Sequence, residues 1–197
     1  GADGVRRLGA WVRDSLAGIG TMTFYDPVSG VFGALGHGVN DTDTDQLLAL
    51  DSGAIMSSTV KAVKPGRAGD PGELKGNFDL TADLGSLYAN TDQGVFGTMS
   101  SCGLVEDLEL LPVAAPGQVR KGEAVILSNI SGDAVEAYQV QLSRLDLEGG
   151  SVRNMVVRVT DQRLLEVTGG IVQGISGSPI LQDGRIVGAV THVMVDD

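Results

Sequence analysis

Between Val135 and Leu145 the side chains alternate: Val135, Ala137 and Gln139 share one face of an extended backbone, and Glu136, Tyr138, Val140 and Leu142 share the other. A period of two marks a β-strand. Other runs rich in β-branched, aliphatic or aromatic residues predict strands at Thr21–Tyr25, Val31–Leu35, Ala54–Val63, Phe78–Tyr88, Val95–Met99, Glu123–Ile130, Met155–Val159 and Ile186–His192. The segments between them carry turn chemistry. Asp26-Pro27-Val28-Ser29-Gly30 folds the first two runs into a hairpin, and Ser131-Gly132-Asp133 turns the chain into Val135–Leu145. Asp183-Gly184 closes a hairpin between Ile180–Leu181 and Ile186–His192. Pro65–Gly76, with its charges and glycines, reads as a surface loop. Leu111–Gln118, apolar and holding Pro112 and Pro116, reads as a crossing between two halves. The expected architecture is all-β, with an N-terminal barrel half over 1–111 and a C-terminal barrel half over 112–197.

Composition adds detail to this picture. At 197 residues and 42% hydrophobic content the chain suits one large β-domain or two small ones. Its 29 glycines and 4% aromatic content point to many turns around aliphatic cores. The net charge of −11 repels phosphate backbones, which argues against a nucleic-acid partner and against direct contact with an anionic membrane surface. No apolar run is long enough to span a bilayer and no signal peptide is visible, so any membrane tether is expected from other segments. Cys102, the only cysteine, reads as a small buried side chain. Two distant histidines and one cysteine lack metal-ligand spacing, so neither metal nor cofactor is expected. Asp41-Thr42-Asp43-Thr44-Asp45 lacks the glycine and distal glutamate of an EF-hand and reads as a solvated loop.

The candidate chemistry lies in Gly174-Ile175-Ser176-Gly177-Ser178-Pro179. A serine hydroxyl is a weak nucleophile, and the oxyanion it creates needs fixed donors at once. Gly174 allows its own N–H and that of Ser176 to converge as an oxyanion hole, Gly177 permits a tight exit, and Pro179 stiffens the path into the next strand. His37, in Gly36-His37-Gly38 after the run Val31–Leu35, is left bare at a strand end, where another loop can approach it as a general base. The order His then Ser, far apart in the chain, suits a chymotrypsin-like protease of two β-barrels, each giving one catalytic group.

Several blocks together resemble the peptidase domain of the sporulation stage IV B serine endopeptidases. They are Gly18–Pro27, Ala34–Val39, Thr160–Leu165, Thr168–Ile180 and Ile186–Val193. The resemblance implies a serine endopeptidase with His37 as base, Ser176 as nucleophile and Asp161 orienting the histidine. It implies a protein substrate: a regulatory membrane protein whose cleavage releases late sigma-factor processing. Self-cleavage, and export from the forespore into the space between forespore and mother cell, are also implied, with the protein membrane-tethered or released by that cleavage. Family members usually carry a membrane anchor and a PDZ domain, which are not visible here, and continue past the His192 strand. The chain therefore reads as an excised or self-processed core.

The residues themselves leave alternatives open. General chymotrypsin-like order sets the acid in the first barrel, which would suit Asp79 or Asp83 rather than Asp161. His192, on a strand that would line the substrate pocket, is a candidate contact for the residue before the scissile bond. Ile175 excludes the activation switch in which an Asp before the nucleophile pairs with a new N-terminus. A non-catalytic binding module with a protease-like fold is the alternative from another class. An α/β-hydrolase is disfavoured, because the residues after Ser176 are poor helix formers.

Overall fold

The computed structural model describes residues 17–41, 43–99, 103–106, 108–146 and 154–194. In chain order its strands are β1 (Met22–Asp26), β2 (Val31–Ala34), β3 (Ala54–Lys64), β4 (Glu73–Thr91), β5 (Gly94–Met99), β6 (Gly122–Ser128), β7 (Glu136–Leu145) and β8 (Met155–Val159). A helix, α1 (Gln162–Thr168), precedes β9 (Pro179–Gln182) and β10 (Arg185–Ala189). The strands form two five-stranded antiparallel sheets, ordered β1-β2-β5-β4-β3 and β10-β9-β6-β7-β8. This is the all-β, two-barrel architecture of chymotrypsin-like proteases.

Alternation decides which faces are buried. Along β7 the side chains of Tyr138, Val140 and Leu142 are buried, and Glu136, Ala137, Gln139 and Gln141 are exposed. Ala124 and Ile126 of β6 and Ile180 of β9 join them in one aliphatic cluster. Burial of an Ile or Leu in such a cluster contributes about 1.5–3 kcal/mol over an exposed position.

The β3–β4 hairpin is longer than the turn residues suggest. Instead of a loop over Pro65–Gly76, β4 starts at Glu73, which pairs with Lys64. The turn is closed by reciprocal backbone bonds between Arg67 and Asp70 and by the ion pair of Lys64 with Asp70 at 2.7 Å. Register shifts bend the hairpin at Met56–Ser58 and Val60–Ala62. Its far end therefore reaches the second half, where Val60 and Leu74 enter the β6–β10 core.

The helix α1 was not expected. Asp161 caps its N-terminus by accepting the N–H of Arg163, and Gly169 ends it in the left-handed conformation, φ 72°. The expected final strand, Ile186–His192, stops at Ala189, and residues 190–194 run on outside any ladder. The crossing segment lies along β10: Ala114 N–H donates to Ile186 O and Ile186 N–H to Pro112 O.

Candidate active site

Beyond Ala34 the backbone turns sharply through two left-handed residues, Leu35 (φ 69°) and Gly36 (φ 67°). A side chain at 36 would meet the Thr191 methyl at 2.9 Å. Glycine there lets the histidine loop press against the chain that follows β10. The His37 ring then lies 5.5 Å from the His192 ring, centroid to centroid, tilted by 48°. Because the Nδ1 of His37 is 2.8 Å from Gly38 O, which can only accept, the bond requires a proton on Nδ1 and leaves Nε2 as an acceptor. That is the tautomer a general base needs.

The serine loop reaches the same place from the other side. Gly174 (φ 100°) and Gly177 (φ 94°) adopt conformations closed to other residues, and Ile175 between them is fully buried in the β6–β10 core. An apolar anchor thus holds the loop where other proteases use an ion pair. Ser176 Oγ donates to Thr191 O at 3.2 Å, and Gly177 N–H to Val190 O at 2.7 Å. Among the described residues no acceptor meets the amides of Gly174 or Ser176. Both amides are therefore free to donate, as oxyanion-hole donors must be.

Two threonines missed in the sequence stitch these loops together. Thr21 N–H donates to Ser176 O at 2.8 Å, its hydroxyl to Gly174 O at 3.2 Å, and its carbonyl accepts Leu35 N–H at 3.1 Å. Thr23 Oγ1 donates to Gly177 O at 2.7 Å. A Cβ on Gly177 would stand 2.0 Å from Thr21 O, so glycine is required for this contact. The only sequence signal for Thr21 and Thr23 is their place in the Gly18–Pro27 block.

The structure does not bring the three candidate acids to His37. Asp161 is embedded, with a 9% exposed side chain. One of its oxygens accepts from Arg163 N–H and Nε, the other from Gln139 N–H and Arg163 Nη2. These bonds, Arg163's first, hold its pKa down at about 2. Arg163 in turn lies over the Tyr138 ring, 5.0 Å from its centroid, and pairs with Glu136 at 2.8 Å. Asp79 accepts from the hydroxyl and N–H of Thr81, which lower its pKa. Asp83 is an exposed residue opposite Met56 in the β3–β4 ladder. No hydrogen bond or ion pair joins His37 to a carboxylate among the described residues.

His192 is exposed, with Nδ1 3.0 Å from Thr191 Oγ1, while Val190 is buried. His37, Gly174, Ser176, Thr191 and His192 all line one open cleft. Asp41 turns back on its own loop, accepting from Asp43 N–H and from the N–H and hydroxyl of Thr44. Among the described residues no group of three or more His, Cys, Asp or Glu could hold a metal, and no helix is long and apolar enough to cross a membrane. Cys102 lies outside the described residues.

Comparison with known proteins gives one family: the family model described as SpoIVB peptidase S55 matches residues 4–197. No curated protein and no solved structure matches. The chain belongs to the SpoIVB peptidase S55 family and is a serine peptidase.

Proposed function

We propose, with membership of this family as the premise, that the chain is an endopeptidase working through an acyl-enzyme on Ser176. The observation that carries the reading is the convergence of His37 and Ser176 on residues 190–192 from different halves of the molecule. His37 Nε2 takes the Ser176 proton as Oγ attacks the peptide carbonyl carbon. The oxyanion is received by the N–H groups of Gly174 and Ser176. The imidazolium then protonates the leaving amine, and water hydrolyses the ester by the reverse proton path. In this reading Gly38 O fixes the imidazole. Asp161, the acid implied by the family resemblance, acts instead on the serine side, by anchoring α1 to β7 ahead of the Val172–Gly177 loop.

The substrate is a protein. An extended peptide can run beside residues 192–194, whose backbone lies outside any strand, and His192 would contact the residue before the scissile bond. Family membership supports a regulatory membrane protein of sporulation as that substrate, with its cleavage triggering late sigma-factor processing. Self-cleavage, a PDZ domain in the full-length protein and action between forespore and mother cell belong to the same proposal.

A fluorophosphonate probe tests the chemistry. It should label Ser176, identified by peptide mass, and labelling should vanish in Ser176→Ala. Peptide cleavage should fall about a million-fold in either Ser176→Ala or His37→Ala. A folded chain that the probe does not label would instead be a non-catalytic binding module.

A further inference from the structure

Asn90, near the end of β4, spends its whole side-chain amide on the loop that follows His37. Its Oδ1 accepts Val39 N–H at 2.8 Å, and its Nδ2 donates to Val39 O at 2.8 Å and to Leu48 O at 2.9 Å. The partners fix the amide's orientation, since an N–H can only donate and the two carbonyls can only accept. Leu48 N–H also returns to Val39 O, so the loop from 39 to 48 is closed around this side chain.

Val39 N–H and Gly38 C=O belong to one planar peptide unit. At one edge of that plane the N–H is held by Asn90, and at the opposite edge the carbonyl is 2.8 Å from His37 Nδ1. An acceptor on a peptide N–H polarises the unit and strengthens its carbonyl as an acceptor. Asn90 therefore both sets the angle of the plane and improves its grip on the imidazole. We propose that Asn90 is a positioning residue for His37, acting through the Gly38–Val39 peptide. The proposal rests on the reading of His37 as the base.

Gln182 on β9 provides an internal control. It has the same pattern of one accepted and two donated backbone bonds: from Arg120 N–H, and to the carbonyls of Arg120 and Glu123. The chain has two histidines, so nitrogen-15 NMR reads two imidazoles, assigned with His37→Ala. His37 should carry its proton on Nδ1 in the native chain and shift toward Nε2 in Asn90→Ala. Fluorophosphonate labelling of Ser176 should slow about ten- to hundredfold, a fraction of what a positioned base supplies. Asn90→Asp, which keeps the acceptor for Val39 N–H but loses both donors, should shift the tautomer less than Asn90→Ala, and Gln182→Ala should leave His37 unchanged. An unmoved tautomer in Asn90→Ala, or the same shift in Gln182→Ala, would overturn the proposal. So would loss of the fold in both Asn90 variants while Gln182→Ala folds. If the tautomer shifts but the native chain never labels, the peptidase reading fails and the link survives. Labelling with an unmoved tautomer sinks the link alone.

Discussion

The β6–β10 half and the β1–β5 half have the same number of strands but different interiors. Among the described residues thirteen buried side chains form a continuous cluster around β6, β7 and β9. Among the described residues the cluster of the first sheet buries four, Phe32, Ala34, Val95 and Met99. Phe78 and Leu80 of its longest strand remain exposed. The nucleophile loop grows out of the better-filled half, anchored by Ile175. His37, the proposed base, sits on the less filled half, where Leu35 and Val39 on either side of it pack against that smaller core and Gly38 O meets its ring. The two loops thus differ in how much apolar anchoring each receives.

Removing matched apolar side chains should expose the contrast most strongly. Ile175→Ala should cost about 2–5 kcal/mol in denaturant unfolding, and Met99→Ala should fall at or below the low end of that range. Equal costs would mean that the two interiors are equivalent. Hydrogen exchange should agree, with β6 and β7 amides protected longer than those of β1.

Asp161→Asn sharpens the comparison at a smaller scale. Asparagine still caps α1 but loses the charge that pairs with Arg163. Catalytic turnover should therefore stay within about tenfold of the native chain, whereas loss of a true orienting acid costs on the order of 10⁴. A fall of that size in a folded Asp161→Asn protein would return the acid role to this residue. Stability has a definite sign. The folded pKa, at about 2, is below the ordinary value near 4, so Asp161 stabilises the fold above pH 4 and loses that contribution as pH falls toward 2. The pH dependence of the melting temperature across this window should flatten in the variant. Smallest of all, Lys64→Met should leave the melting temperature unchanged, because its pair with Asp70 is solvent-exposed on both sides.

How far the sequence could be read follows the same division. Strands with one buried face announce themselves by alternation, which is why β7 was legible, whereas the β9–β10 hairpin was legible from its Asp183-Gly184 turn. Ser176 and His37 stood out as candidates because glycines lie close on both sides of each, although a plain turn carries the same pattern. The helix α1 was missed although its signals were present: Asp161 before the first turn and Gly169-Gly170 after the last. Seven residues between strands are too short for a helical period to show. Asn90 and Thr21 were missed for another reason. Each acts through backbone groups distant in sequence, and nothing in a linear pattern reveals which carbonyl an amide or hydroxyl will meet.

Thr21 has a mechanical consequence. Its amide is tied to the serine loop and its carbonyl to the residue that opens the histidine turn, like a rivet through two plates. Any motion that separates the serine loop from the histidine turn must break the bonds of Thr21. His37 and Ser176, the proposed catalytic pair, should therefore be lost or regained together.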